Sequence, residues 1–329
     1  MSTKRVVCLP GDCIGPEVMV VAQRALAALA PDVELEDRLF GADAIRQTGD
    51  SLPVATLEAC RSADAVLKAP IGHPEFDAAD VRPEQGMLRL RAELDVYANL
   101  RPARAGAIDL LIVRELVGGL YFGARGVRDD GTVFDTCEYH PSQVERIARR
   151  GFELARARRG KLTSVDKANV LETSRMWRRV VRAVGTEYPD VALEDMLVDN
   201  AAMQLASAPE QFDVIVTENM FGDILSDLAA AMTGGLGLAP SASLGDAGPG
   251  IFEPVHGSAP DIAGRGIANP AGMLRSTALL LEHGLERPDE AAALDAAVER
   301  ALSTTPTADL GGTATTDEFA AAVLEGLAQ

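Results

Sequence analysis

The sequence contains few cysteines and few aromatic residues. Its four cysteines, Cys8, Cys13, Cys60 and Cys137, are widely spaced and form no CxxC pair. This spacing favours a reduced protein of the cytoplasm. Aromatic residues make up only 4% of the 329 residues. The core must therefore consist mainly of Leu, Val, Ile and Ala, and we expect the cysteines to be packing residues.

Long apolar runs and excess positive charge are also missing. No apolar run reaches the roughly 18 residues that a membrane-spanning helix requires. The residues before Val6 lack the apolar core and cleavage site of a signal peptide. Lys and Arg number 31 against 49 Asp and Glu, for a net charge of −18. This balance argues against nucleic acid or an anionic membrane as partner, and we expect a cytoplasmic protein.

Several common catalytic motifs are absent. The sequence contains no GxxxxGK[ST], HExxH or GxSxG. The first loop reads Gly11-Asp12-Cys13-Ile14-Gly15 rather than GxGxxG, so the phosphate-binding turn of a Rossmann fold is missing. The four histidines are not spaced like metal-ligand pairs. Any metal site would therefore be built from oxygen ligands, which suit Mg²⁺ or Mn²⁺.

Strand-like and helix-like segments alternate along the chain, which predicts an α/β fold. The β-branched run at residues 213–217 predicts a buried strand. Residues 121–138 are rich in Gly and Asp, with a hairpin tip at 128–131, and predict an exposed arm. Residues 236–266 are rich in Gly and Pro and predict a long functional loop. No linker-like segment marks a domain boundary.

Two aspartates, Asp223 and Asp227, lie four residues apart shortly after that strand. Gly222 is expected to open a helix that runs to Met232, which places both carboxylates on one helix face. Like charges at this spacing repel each other unless a cation or an arginine lies between them. The pair is therefore either a divalent-metal site or a solvated acidic face.

Five further candidate groups have two interpretations each. An arginine at a structural break, as at Arg91, Arg101 and Arg125, can bind a carboxylate through two hydrogen bonds or can be a solvated surface group. Lys167 follows a strand and could act as a base if nearby positive charge lowered its pKa. Tyr139 could equally be a packing residue.

Several segments, in this order, resemble the β-decarboxylating dehydrogenase family, which includes 3-isopropylmalate, isocitrate, homoisocitrate and tartrate dehydrogenases. The resemblance runs from Leu9 to Phe319. Its most specific parts are GDCIGPEV (11–18), LRAELDVYANLRP (90–102), RELVGGLYFG (114–123), VDKANVLETS (165–174), ENMFGDILSDLAAAMTGGLGLAPSASLG (218–245) and EPVHGSAPDIAGRGIANP (253–270).

The resemblance implies a homodimer with shared active sites. In such a site Asp223 and Asp227 bind Mg²⁺ or Mn²⁺ together with Asp199 from the other subunit. Lys167, also from the other subunit, takes part in proton transfer. Tyr139 returns a proton to carbon after CO₂ has left.

The resemblance also implies how a small-molecule substrate is held. The three arginines bind the two malate carboxylates, while an apolar wall meets the alkyl group. Met87 and Leu88 would form that wall unless they simply pack the domain core. The substrate-binding residues implied are Arg91, Arg101, Arg125, Asp223, Glu84, Met87, Leu88 and, from the other subunit, Val170.

The dinucleotide is expected on a loop instead of a Rossmann turn. Asp261 stands where NAD-preferring relatives carry an acid, because a carboxylate accepts hydrogen bonds from a ribose diol and repels a 2′-phosphate. We therefore expect NAD as cofactor. The cofactor-binding residues implied are Asn169, Glu253, His256, Gly257, Ser258, Ala259, Asp261 and Asn269.

The implied fold is an open α/β sheet in two domains that is not a Rossmann fold. Residues 1–96 and 235–329 would form the cofactor-binding domain, and residues 97–234 the substrate and dimerisation domain. The implied activity is NAD-dependent oxidative decarboxylation of 3-isopropylmalate in leucine biosynthesis. The alternatives are a related enzyme acting on tartrate, D-malate, homoisocitrate or another 3-alkylmalate, and a non-catalytic regulatory subunit.

Overall fold

The computed structural model describes residues 3–328, which divide into two compact units. Unit 1 takes the described residues up to Asp95 and those from Leu236 onward, and unit 2 is Val96–Gly235. The chain thus leaves unit 1, builds unit 2 and returns, so unit 1 is discontinuous in sequence.

Strands are distributed over both units. Within the described residues they are β1 (Arg5–Leu9), β2 (Glu34–Asp37), β3 (Ala65–Lys68), β4 (Ala98–Ala105), β5 (Ile108–Glu115), β6 (Arg125–Val127), β7 (Val133–Asp135), β8 (Lys161–Asp166), β9 (Ala192–Leu197), β10 (Val214–Thr217), β11 (Pro240–Leu244) and β12 (Gly250–Pro254).

Helices follow most of the strands, and a π-helical turn, Leu280–Gly284, extends the ninth of them. The α-helices of the described residues are α1 (Gly15–Leu29), α2 (Ala42–Thr48), α3 (Val54–Arg61), α4 (Pro83–Glu93), α5 (Pro141–Arg156), α6 (Glu172–Gly185), α7 (Val198–Ser207), α8 (Asn219–Met232), α9 (Ala271–Leu279), α10 (Pro288–Thr304) and α11 (Thr316–Leu327).

In unit 1 the strands lie in the order β2-β1-β3-β12-β11. β1 pairs in parallel with β2 and β3, β12 is parallel to β3, and β11 is antiparallel to β12. All four residues of β3 are buried. A fully buried strand is typical of a parallel sheet covered on both faces, and it leaves Lys68, the last residue of β3, inside the unit.

In unit 2 the strands lie in the order β4-β5-β10-β8-β9. β4 and β5 are antiparallel, whereas β10 is parallel to β5 and β8, and β9 is parallel to β8. Ile112 and Ile215 pack with Leu225 of α8 in the core of this unit. The parallel register places Arg114 of β5 opposite Thr217, where β10 ends and the chain turns into α8.

The predicted arm is a two-stranded antiparallel hairpin of β6 and β7. Gly131 at its tip has a φ of +84°, a conformation that favours glycine. Val127 and Val133 face each other across the hairpin and are 69% and 72% exposed. The hairpin and its exposure are therefore confirmed, as is the α/β fold.

Two sequence-based predictions, one of a helix start and one of a long loop, were wrong. The aspartate-bearing helix begins at Asn219, three residues before Gly222, because the Glu218 carboxylate caps it by accepting from the amides of Met220 and Phe221. The predicted loop at 236–266 contains the pair β11 and β12, since all five residues of β12 are buried and require strand partners.

All four cysteines are free, and Cys8 and Cys60 are buried. Within residues 3–328, no helix combines the length and the apolar character that crossing a bilayer requires.

Candidate active site

The aspartate pair lies on α8 in unit 2, one helical turn apart. Asp223 accepts hydrogen bonds from Arg114 Nη1 through Oδ1 and from the Tyr121 hydroxyl, at 3.0 Å, through Oδ2. Arg101 Nη1 lies 3.8 Å from Oδ1 of Asp227. Burial and the charge of Asp223 raise the pKa of Asp227 against the opposing effect of Arg101. Asp223 and Asp227 are therefore two adjacent carboxylates that a further cation would stabilise.

Arg114 is held rigidly at the end of β5. Its Nε and Nη2 donate to Oδ1 of Asn219 at 3.0 and 2.7 Å, and the Asn219 amide donates in turn to the carbonyls of Leu116 and Gly118. A Cβ on Gly222 would lie 2.6 Å from Cγ of Arg114. Glycine at position 222 thus lets the arginine cross α8 and reach Asp223.

Tyr121 joins this group as a hydroxyl donor. Burial, the charge of Asp223 and the hydrogen bond to it raise the pKa of the Tyr121 hydroxyl. The guanidinium carbon of Arg114 lies 5.7 Å from the centre of the tyrosine ring. Tyr121 is therefore protonated at neutral pH, and its hydroxyl donates a hydrogen bond to Asp223.

Arg125 and Tyr139, which the sequence placed in the site, form no hydrogen bond or ion pair with Asp223 or Asp227 among the described residues. Arg125 lies on the arm with its side chain 56% exposed, donates to the carbonyl of Tyr121 and lies 3.9 Å from Asp135. The Tyr139 hydroxyl accepts from the amide of Asn219 at 3.0 Å. Arg125 therefore belongs to the arm and Tyr139 supports the start of α8.

Beside Tyr139, the carboxyl group of Glu115 is completely buried. It accepts hydrogen bonds from the amides of Val117 at 3.2 Å and Gly118 at 2.9 Å. Burial raises the pKa of Glu115 to about 7, against the opposing effect of these hydrogen bonds. Glu115 is thus a buried titratable group that directly follows Arg114 in the sequence.

Lys167 and Asp199, which the sequence assigned to the other subunit's site, are paired with each other. Lys167 Nζ lies 2.6 Å from Asp199 Oδ1, and this hydrogen bond lowers the pKa of Asp199. The Asp199 side chain is 65% exposed, and the nearby Asn169 and Val170 are exposed as well. The pair thus presents an ammonium group and a carboxylate at the surface of unit 2.

The donor chemistry fits a hard divalent cation, since Asp223 and Asp227 supply only carboxylate oxygens. No cluster of three or more His, Cys, Asp or Glu side chains suited to a metal occurs within residues 3–328. Asp223 and Asp227 therefore form a pair of carboxylates and not a larger cluster.

The remaining substrate-binding candidates lie in unit 1. Arg91 Nη2 donates to Oε1 of Glu253 at 2.9 Å. Glu84 is exposed, Leu88 is half-buried and Met87 is only 6% exposed. The burial of Met87 agrees with the interpretation that it packs the core of its unit.

The candidate cofactor loop begins after β12 with His256. Its Nδ1 lies 3.0 Å from the carbonyl of Gly257, whereas its Nε2 is buried and has no partner within residues 3–328. Burial lowers the pKa of His256, so the ring is neutral. The Ser258 carbonyl accepts from the amide of Ile14 at 3.1 Å. A buried ring nitrogen without a partner is compatible with a polar ligand at this loop.

Farther along the loop, Ala259 has a φ of +44° and leads into a short 3₁₀ turn that carries the exposed Asp261. A side chain on Gly257 would meet no atom within 4 Å. Asn269 is fixed by its donation to Asp309 at 3.0 Å and by the amide of Ala271, also at 3.0 Å. Open space at Gly257 and an exposed carboxylate at Asp261, in the same loop, fit a ribose-bearing ligand.

The sequence-based interpretation did not single out Arg114 and Tyr121, which contact Asp223, or Lys68, which is paired with Glu253. Arg114 and Tyr121 both occur in the segment RELVGGLYFG. A signal was available for Arg114. It lies near the carboxyl end of β5, and the parallel strand β10 beside it leads into the aspartate helix. Parallel strands bring their carboxyl ends to the same edge of a sheet. Lys68 gave no comparable signal, since its partner Glu253 is distant in sequence.

Comparisons with known proteins agree over almost the whole chain. The model of the isocitrate/isopropylmalate dehydrogenase family matches residues 5–323. A 3-isopropylmalate dehydrogenase of Zymomonas mobilis is 50% identical over 98% of this chain and 99% of its own length. That of Deinococcus radiodurans is 48% identical over 98% of this chain and 97% of its own length.

Solved structures give the same result for the fold. An isocitrate dehydrogenase from Methylococcus capsulatus has a TM-score of 0.92 and 37% identity and covers 99% of this chain and 100% of its own. A β-decarboxylating dehydrogenase from Thermococcus kodakarensis has a TM-score of 0.85 and 40% identity, with 99% and 96% covered.

Proposed function

Because the chain belongs to the isocitrate/isopropylmalate dehydrogenase family, we propose that it is an oxidoreductase that converts 3-isopropylmalate to 4-methyl-2-oxopentanoate with NAD. This is a step of leucine biosynthesis. Similarity at about half identity over nearly the full length supports this substrate. The structural observation that carries the proposal is Asp223 between Arg114 and the Tyr121 hydroxyl, with Asp227 one turn away.

Asp223 and Asp227 would hold Mg²⁺ or Mn²⁺, with Asp199 of a second copy as a further ligand. The cation, when bound, lowers the pKa of the substrate's C2 hydroxyl and stabilises negative charge on that oxygen. The Asp199 side chain is 65% exposed and thus accessible to another chain, which supports a homodimer with shared sites. Met203 of α7 and Ile224 of α8, both 59% exposed, support an interface at these helices.

Arginine side chains would bind the two carboxylates of the substrate. We assign this role to Arg91, Arg101 and Arg114, with Arg114 taking the place that the sequence gave to Arg125. The Arg114 guanidinium is fixed by Asn219 and oriented toward Asp223. A preorganised guanidinium binds a carboxylate with little loss of side-chain entropy.

Proton transfer would use one tyrosine and one lysine. Lys167 of the second copy, whose ammonium group is paired with Asp199, would take part in proton transfer at the C2 hydroxyl. Loss of CO₂ from the 2-oxo acid then leaves a carbon that needs a proton. We assign that donation to Tyr121 instead of Tyr139, since the Tyr121 hydroxyl lies beside the aspartate pair and stays protonated at neutral pH.

The loop after β12 would bind NAD, which accepts the hydride from C2. His256 and Asp261 lie in this loop and Glu253 lies on β12 just before it. Asp261 is exposed where it could bind a ribose diol. Comparison of kcat/KM for NAD and NADP tests this assignment. Preference for NADP would contradict the role of Asp261.

A substrate panel tests the proposed activity. The purified protein is assayed with Mn²⁺ and NAD on 3-isopropylmalate, isocitrate, homoisocitrate, tartrate and D-malate, with the 2-oxo acid and CO₂ identified. We expect the highest kcat/KM with 3-isopropylmalate and no turnover by the Asp223→Asn variant. Activity on D-malate or isocitrate far above that on 3-isopropylmalate would overturn the proposed substrate.

A further inference from the structure

Three charged side chains of unit 1 form a buried cluster. Lys68 ends β3, Glu253 lies on the neighbouring strand β12, and Arg91 lies on α4. Their side chains are only 3%, 9% and 13% exposed. Charged groups this deeply buried require partners, and each of them finds one within the cluster.

The two oxygens of Glu253 are divided between the two cations. Oε2 accepts from Lys68 Nζ at 2.7 Å, and Oε1 accepts from Arg91 Nη2 at 2.9 Å. Lys68 also donates to the carbonyl of Ala69 at 3.1 Å. Burial alone would raise the pKa of Glu253, but the charges and hydrogen bonds of Lys68 and Arg91 lower it to about 2. The cluster therefore contains two cations and one anion, for a net charge of +1.

One donor of this cluster is left over. Arg91 Nε is buried and has no hydrogen-bond partner within residues 3–328. An arginine and a carboxylate commonly bind through two parallel N–H···O bonds. Here the second carboxylate oxygen is held by Lys68 instead, so the pair binds through Nη2 alone.

We propose that Lys68 is a positioning residue that prevents Glu253 from closing both oxygens on Arg91. Arg91 thereby keeps a free N–H edge and a net positive charge for a carboxylate of the substrate. A substrate carboxylate would then neutralise the cluster and satisfy the buried Nε. The identity of that carboxylate rests on the proposed function, whereas the geometry of Glu253 and Arg91 does not.

The Lys68→Met variant tests the inference, because methionine keeps most of the apolar stem and removes the cation. In its crystal structure without substrate, we expect Glu253 to turn and accept from both Nε and Nη2 of Arg91. At saturating NAD, we expect KM for 3-isopropylmalate to rise tenfold or more while kcat stays within about threefold of the wild type. A purely structural role for Lys68 would not produce this split.

A double variant separates charge from packing. Lys68→Met combined with Glu253→Gln restores the net charge of +1 and removes the second carboxylate oxygen. Its KM is expected to return to within about threefold of that of Glu253→Gln alone, measured under the same conditions. Lys161→Met is the matched control, because Lys161 is paired with Glu194 at 2.8 Å in unit 2, and its KM should not change.

Three results would overturn the inference. They are a KM of Lys68→Met equal to that of the wild type, no recovery in the double variant, and an Arg91 Nε without a bond to Glu253 in the crystal structure of Lys68→Met. Failure of the proposed function gives a different result. If the wild type oxidises none of the panel substrates, the substrate assignment fails, while the crystal structure of Lys68→Met still decides the role of Lys68.

Discussion

The Tyr121 hydroxyl donates to Asp223 at 3.0 Å, although 102 residues separate them in the sequence. This contact ties the proposed proton donor to a proposed metal ligand. It also places the proton source next to the carboxylate that would bind the cation. The roles of Tyr121 and of its neighbour Arg114 can therefore be tested against the residues that the sequence favoured.

Tyrosine substitutions distinguish the two candidate proton donors. Tyr121→Phe removes the hydroxyl beside Asp223, and we expect kcat to fall by about 10²- to 10⁴-fold, the usual range for loss of a general acid. Tyr139→Phe instead leaves the Asn219 amide without its acceptor, which should cost about 1–3 kcal/mol of stability with a much smaller loss of kcat. Steady-state kinetics and urea denaturation of both variants provide the measurement. The opposite ranking of kcat would return the catalytic role to Tyr139.

Arginine substitutions make the corresponding comparison for the substrate carboxylate. Lysine at position 114 keeps the charge but loses the planar fork that meets both Asn219 and Asp223, so KM for 3-isopropylmalate should rise about 10- to 100-fold. Lysine at position 125 changes a residue of the exposed arm, and KM should change by less than about threefold. Equal effects of Arg114→Lys and Arg125→Lys on KM would contradict the assignment.

Asp227→Asn tests the metal ligands without requiring turnover. Loss of one carboxylate should weaken Mn²⁺ binding at least about tenfold in a calorimetric titration. The pKa of Asp227 lies above its ordinary value, so protons should compete with Mn²⁺ as the pH is lowered toward that pKa. Asp190→Asn, which breaks a surface pair with Arg156, is the control. Unchanged Mn²⁺ affinity in Asp227→Asn would remove Asp227 from the ligand set.

Glu115 should make stability depend on pH in a specific direction. Its pKa is about 7 in the folded protein against an ordinary 4.5, so the folded state retains a proton that the unfolded state has released. Stability therefore falls as the pH rises from about 4.5 to about 7, by up to about 3 kcal/mol for this group. Denaturant titrations from pH 5 to pH 8 should show a smaller fall in the Glu115→Gln variant. A fall equal to that of the wild type would show that Glu115 is ionised throughout.

Local sequence patterns located those parts of the candidate site that lie on a single helix or hairpin. Asp223 and Asp227 share a helix face because a spacing of four residues fixes their direction. Turn residues between short strands likewise identified the arm. These inferences depend on contacts within one turn of helix or one hairpin, which the sequence encodes directly.

Contacts between distant segments were not available in the same way. Arg114 reaches Asp223 because Gly222 has no side chain to block it. The sequence alone shows neither the course of the arginine side chain across α8 nor the space that the glycine leaves for it. Arg125 and Tyr139 matched the expected residue types, but one is directed along the arm and the other toward Asn219. Residue type alone could not choose between two arginines or two tyrosines in adjacent segments. Lys68 was overlooked because a single lysine at the end of an apolar strand gave no indication of its partner.

The arm carries a mechanical implication for the tyrosine that it adjoins. An isolated hairpin of two three-residue strands is marginally stable at best in water. Val127 and Val133 form a cross-strand pair that is largely exposed. Arg125 of the same hairpin donates a hydrogen bond to the main-chain carbonyl of Tyr121. A partner that covers Val127 and Val133 would therefore also restrain the backbone at Tyr121. Association of the chain with that partner would then be coupled to the orientation of the proposed proton donor.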